Sequence, residues 1–163
     1  MKSQCAKRFA AIIALSSFIG CDEQVPDTAQ QSSAENSVIA AQIQEALFFA
    51  ESGKAAITEA YMSQGKWPAD NPSAGMALPD QLTGNYVTGV AVEEGAIHID
   101  LGNKANPDIS GKTLTIRPAF ITANPLGPVS WLCGYQQPAD GMEAQGENRT
   151  SVPEPLLPPQ CRS

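Results

Sequence analysis

The chain is 163 residues long, 42% hydrophobic and 17% charged, which gives apolar material for one modest core and too much for a disordered chain. Seventeen acids against ten bases set a formal charge of −7, which argues against broad nucleic-acid binding driven by cationic patches. With one His, and with Cys5, Cys21, Cys133 and Cys161 widely spaced, zinc sites of the CxxC or HExxH kind are disfavoured. The 13 Pro and 13 Gly point to a small, loop-rich core that needs covalent help.

Residues 1–20 carry Lys2, Lys7 and Arg8, no acid, and an apolar run from Phe9 to Gly20, the layout of an export signal. The run is shorter than the roughly 17–25 residues of a spanning helix. It ends Phe18-Ile19-Gly20-Cys21, which resembles a bacterial lipobox and implies a lipid anchor on Cys21; an ordinary signal peptide that happens to hold a cysteine is the alternative. Two or more acyl chains anchor stably, a single chain only marginally. Asp22 directly after the cysteine resembles an inner-membrane retention signal of some bacteria. Cleavage would remove three bases, no acid and Cys5, leaving three cysteines; if Cys21 is acylated, Cys133 and Cys161 form one pair in an oxidising compartment.

From Cys21 to Asn36 the chain is polar, rich in Gln and Ser and without apolar periodicity, so 21–36 is predicted to be a flexible tether and 37–163 the globular domain. Asn36 or Ser37 can cap a helix reaching Gln64, with Ile39, Ile43, Leu47, Ala50, Ile57 and Tyr61 on one stripe and Gly65 as the stop. Gln42, Glu45, Ser52 and Glu59 form the opposite, polar stripe, and Gly53 permits a bend. Residues 66–85, with Pro68, Pro72 and Pro79, read as a long connection.

Alternation then predicts four strands. Tyr86, Val90 and Val92 share a face of the first, Glu94-Gly95 makes the turn, and Ile97, Ile99 and Leu101 share a face of the second. Leu114 and Ile116 lie on the third, which Pro118 closes, and Val129, Trp131 and Cys133 line the fourth. One helix followed by four strands is an α+β meander. Residues 134–160 hold five prolines and no recognisable element, and a Cys133–Cys161 disulfide would fasten them, contributing roughly 3–4 kcal/mol on the chain-entropy model.

These residues resemble the globular domain of type IV pilins, the subunits of bacterial surface filaments. The likeness runs through Ala41-Gln42-Ile43-Gln44-Glu45-Ala46, Lys54-Ala55-Ala56-Ile57, Gly65-Lys66-Trp67-Pro68, Gly84-Asn85-Tyr86-Val87, Gly111-Lys112-Thr113-Leu114-Thr115-Ile116, Trp131-Leu132-Cys133 and Leu157-Pro158-Pro159-Gln160-Cys161-Arg162, covering about residues 38–162. It implies a pilin-like α+β fold, one long N-terminal helix on a four-stranded antiparallel sheet with a C-terminal disulfide-bounded loop. In pilins that loop shapes adhesion and immune recognition, and 134–160 corresponds to it. The N-terminus departs from the pattern. Where a pilin continues with an apolar half-helix and a glutamate at the fifth mature position, this chain has Cys21-Asp22-Glu23-Gln24-Val25, so it is expected to carry a pilin head on a lipid tether and not to bury a helix in a filament core.

The expected function is pilus biology and cell adhesion by an exported, membrane-anchored interaction module facing the periplasm or cell surface. Its partners would be pilin subunits, pilus assembly proteins or a surface ligand. The alternative is a lipoprotein that reuses the fold as a binding or regulatory module unrelated to filaments. No cofactor and no catalysis are expected: His98 is placed on the polar face of a strand, Glu93-Glu94 at a solvated turn, and phosphate loops and nucleophile elbows are missing. Trp67 and Trp131 read as packing residues, and Asn148-Arg149-Thr150 as a chance match to a glycosylation acceptor. Some pilins that end in this way carry an O-glycan on the last serine, which would place one on Ser163.

Overall fold

The computed structural model describes residues 27–124 and 127–163. Helix α1 spans Asp27–Gln64, and the strands are β1 (Val87–Glu93), β2 (Ala96–Leu101), β3 (Thr113–Ile121), β4 (Ser130–Cys133) and β5 (Met142–Ala144). The sheet is antiparallel in the order β1-β2-β3-β4, with β5 added to β3. The export signal and Cys21 lie outside the described residues. Among the described residues no helix is long and apolar enough to cross a membrane.

The helix starts earlier than the sequence predicts, so residues 27–36, expected in the tether, are helical. This stretch lacks an apolar stripe but contains Ala, Gln and Glu, good helix formers, and extending a helix already nucleated by packing is cheap compared with starting one. Packing begins at Ile39, where Ile39, Ile43, Ala46, Ala50, Gly53, Ile57 and Ala60 are buried at alternating four- and three-residue steps, with Tyr61 buried beside them. The helix continues through Gly53. A Cβ there would come within 2.9 Å of Ile97 Cδ1, so this glycine serves close approach to the sheet and not a bend. Gly65 ends the helix with φ +69° and its N–H on Tyr61 O at 2.8 Å.

Two of the residues assigned to the polar stripe bind loops instead. Gln42 is buried and its Oε1 accepts the Asn106 N–H at 2.7 Å, while Glu45 Oε1 accepts the Tyr86 N–H at 2.7 Å.

On the sheet, Val90, Val92, Ile97, Ile99, Leu101, Leu114 and Ile116 face the helix and form the core. The turn Glu94-Gly95 has φ of 48° and 84°, positive at both central positions as a tight right-twisted hairpin requires. The first strand corrects the expected pattern: its register shifts between Val87 and Gly89, so Val87, and not Tyr86, joins Val90 in the core. The outer edge of β1 is closed by one side chain. Asn71 Nδ2 donates to Val90 O at 2.8 Å and to Ala77 O at 2.7 Å, and Asn71 Oδ1 accepts the Val92 N–H at 2.6 Å. A single carboxamide thus stands in for a neighbouring strand and blunts an edge open to pairing.

Pro118 does not close β3, which continues to Ile121. The last β2 partner on β3 is Ile116 and the first β5 partner is Ala119. Pro118 sits at that handover, where its carbonyl accepts the Gln145 N–H at 2.8 Å and its missing donor faces the gap between the two partner strands. β5 was not visible in the sequence, because three residues cannot display a period.

Candidate interaction surface

The disulfide-bounded region grows from the end of β4. Cys133 and Cys161 are bonded, with Cα atoms 4.5 Å apart. Gly134 follows with φ +57°, and a Cβ there would lie 2.5 Å from Cys161 O, so the return of the chain to the second cysteine requires glycine. Tyr135 N–H donates to Cys161 O at 2.9 Å, and the Tyr135 hydroxyl reaches Thr150 O at 3.2 Å and Val152 O at 3.1 Å. Gln136 Oε1 accepts the Cys133 N–H at 3.0 Å, and Asn148 Nδ2 donates to Gly134 O at 2.8 Å. Residues 134–160 are therefore fastened at many points besides the disulfide. Val152 and Leu157 enter the core, and Asp140, Glu143 and Glu147 remain exposed, so the outward side of this region is acidic.

Beside it, an open groove of about 620 Å³ runs between α1 and β4, lined by Leu47, Phe48, Trp131, Cys133, Gln136 and Cys161. Phe48 is 73% exposed. Two phenylalanines in succession on a helix cannot both face the core: Phe49 packs inward, and Phe48 meets it edge-on with ring centroids 6.4 Å apart. That doublet is the signal by which sequence reasoning could have found the groove. Its rim carries the Glu51–Lys54 pair at 2.7 Å. Trp131 is half-buried on this wall, whereas Trp67 stacks on Tyr61 at 3.8 Å and contacts Phe120, so both tryptophans pack.

The groups considered for chemistry do not converge. Among the described residues no His, Cys, Asp and Glu cluster could hold a metal. His98 is only 4% exposed, which corrects its assignment to a solvated face: β2 is an inner strand, and a polypeptide segment covers the face opposite the helix. Its Nδ1 lies 3.0 Å from Thr115 Oγ1, and burial, followed by the positive charge of Arg149, pushes its pKa down. Glu93 is not simply solvated. Arg149 binds it with both terminal nitrogens, at 2.7 and 2.5 Å, and holds its carboxyl below the usual range. Asn148 and Thr150 are used internally, Asn148 on Gly134 and Thr150 Oγ1 on the Thr115 N–H at 3.1 Å. Ser163 is exposed, with its N–H and hydroxyl on Glu154 Oε1 at 2.7 and 2.6 Å.

A long helix laid on an antiparallel sheet that ends in a disulfide-closed region defines the pilin class of fold. The family model for pilins, proteins of bacterial filaments, matches residues 40–162, and the chain belongs to this family. It is 37% identical over 128 residues to the type IV major pilin protein PilE1 of Neisseria gonorrhoeae, covering 75% of this chain and 69% of that protein. It is 34% identical over 113 residues to a fimbrial protein of Neisseria meningitidis serogroup B, covering 69% and 64% respectively. A fimbrial protein of Eikenella corrodens, EcpC, is 33% identical over 124 residues, covering 72% and 77%. The chain thus spans about two thirds to three quarters of these relatives.

Proposed function

We propose that this protein acts in type IV pilus biology and cell adhesion as a noncatalytic interaction module, presenting the face formed by α1, β4 and the disulfide-bounded region to other pilin subunits or assembly proteins. The observation that carries the reading is the family match along residues 40–162, together with the apolar groove beside Phe48 and Trp131 on that face. The match to fimbrial relatives weighs against a lipoprotein with no connection to filaments. Export, and a lipid on Cys21 holding the domain at a membrane, complete the proposal: the polar Cys21-Asp22-Glu23-Gln24-Val25 run after Gly20 suits a tether at a membrane surface. An O-glycan on Ser163 is a compatible addition at an exposed position.

Two measurements test this. Photocrosslinking from position 48 in cells should capture a pilin or an assembly protein, and deletion should alter piliation, twitching or adhesion. Unchanged phenotypes together with no pilin-system crosslink would sink the reading. Intact-mass analysis of the membrane fraction should show an acylated N-terminus at Cys21; an unmodified N-terminus elsewhere would remove the tether.

A further inference from the structure

Residues 145–152 cross the face of the sheet that the helix leaves uncovered. The segment leaves β5 with Gln145 N–H on Pro118 O and passes so close to the β1–β2 hairpin that a Cβ at Gly146 would collide within 2.6 Å of Ala96 Cβ. It reaches the opposite edge of β3, where Ser151 N–H donates to Thr113 O at 2.9 Å and Ser151 Oγ accepts the Thr113 N–H at 2.9 Å. Midway, the Arg149 N–H donates to Thr115 Oγ1 at 3.1 Å, and the same oxygen lies 3.0 Å from His98 Nδ1. The segment is a strap, and His98 is fixed to one of its fastening points.

That histidine is poorly placed to accept a proton. Its Nε2 is buried and has no hydrogen-bond partner among the described residues. Protonation makes both ring nitrogens donors. Thr115 Oγ1 can serve Nδ1 only, and only by turning its own hydrogen elsewhere, while Nε2–H⁺ would be a buried, unpaired donor. The charged groups facing the ring come from every neighbouring element: Arg149 on the strap opposes the proton, and Glu93 on β1, Asp100 on β2 and Glu147 on the strap favour it. Burial and Arg149 outweigh these carboxylates, so the folded form keeps the ring neutral.

We propose that residues 145–152 form an acid-released strap with His98 as its trigger. Freeing the strap opens the outer face of β2 and β3, gives the imidazolium water, and moves Arg149 away from it. The sign follows from proton counting: below about pH 6.5, the ordinary imidazole value, the open form binds the proton that the closed form refuses, so closure weakens as pH falls. The Arg149–Glu93 ion pair ties the strap to β1 and is not the trigger: carboxylates protonate below this window, so the pair opposes release and breaks when the strap leaves. The inference needs only the fold and is independent of the proposed pilus role.

Amide hydrogen exchange, corrected for intrinsic rates, tests it on the intact domain. Between pH 7 and 5 the Arg149 and Ser151 amides should lose protection, approaching about tenfold per pH unit below about pH 6.5 for the one proton taken up on opening, while Ile99 and Leu114 in the core strands hold theirs. In His98→Gln, which keeps a hydrogen-bonding group without a titrating one, the loss should vanish. A ring-nitrogen NMR titration of the unmutated protein should give a His98 midpoint that coincides with strap release, and this readout survives if the variant fails to fold. Protection of Arg149 and Ser151 that is flat to pH 5, equal loss in His98→Gln, a strap midpoint apart from that of His98, or loss shared with Ile99 and Leu114 would each overturn the proposal.

Discussion

Glu45 on the helix and Tyr86 at the entrance to the sheet are joined across 41 positions of chain by one hydrogen bond, from the Tyr86 N–H to Glu45 Oε1 at 2.7 Å. The carboxylate sits so tightly under the connection that a Cβ at Gly84 would strike it. Glu45→Ala leaves the Tyr86 donor without this acceptor and should cost about 1–3 kcal/mol in chemical denaturation. Glu45→Gln retains an acceptor oxygen and should cost clearly less. Equal losses would show that packing, and not this bond, holds the connection down.

Asn71 should be among the most sensitive polar residues. Three hydrogen bonds converge on a side chain that is 2% exposed. Asn71→Ala is expected to destabilise by roughly 2–4 kcal/mol, because the Val90 carbonyl and Val92 N–H lose their partners at a protected edge. Asn71→Asp should be at least as harmful, since it replaces the two donations with an acceptor facing two carbonyls. Thermal melts of both variants, with light scattering to detect edge pairing, check this; a tolerated aspartate would refute it.

The Cys133–Cys161 bridge closes a separation of 28 residues. Replacing both cysteines by Ala should cost about 3–4 kcal/mol, most of it through a freer unfolded chain. The ties made by Tyr135, Gln136 and Asn148 predict that the native arrangement itself survives. Trp131 fluorescence should therefore match the unmutated protein without denaturant and diverge only at the unfolding midpoint. A shifted native spectrum would mean that the bridge is also needed to build the groove.

At the C-terminus, the Ser163 hydroxyl and then its backbone N–H hold the Glu154 carboxyl below its ordinary pKa. A depressed carboxylate contributes stability above its unfolded pKa and loses it as pH falls through the folded one. An NMR titration of Glu154 should give a low midpoint that rises in Ser163→Ala. The same titration in a glycosylated form would report whether a modified Ser163 still holds this tie.

Helix, hairpin turn and disulfide were legible because each is a local or compositional statement: periodicity to Tyr61, a Glu94-Gly95 pair between alternating runs, and two remaining cysteines. The misses are nonlocal. Nothing near Asn71 announces that its amide will stand in for a strand 19 to 21 positions away. One extra residue at Thr88 exchanges Tyr86 for Val87 on the core face. His98 reads as solvated by alternation, and only the strap, which arrives from residues 145–152, buries that face. The proposed interaction face is half legible: two cysteines announce the bounded region, whereas the groove depends on Phe48, an apolar residue outside the stripe.

Strand β3 takes hydrogen-bonded neighbours from β2, β4, β5 and Ser151, on both of its edges. Ribosomal synthesis runs from N- to C-terminus, so at the moment Ile121 is made only β2 is available to it. The strand waits for residues 130–151 to complete its pairing. Closure of the sheet around β3 therefore depends on chain that is synthesised after β3 itself, as far as Ser151.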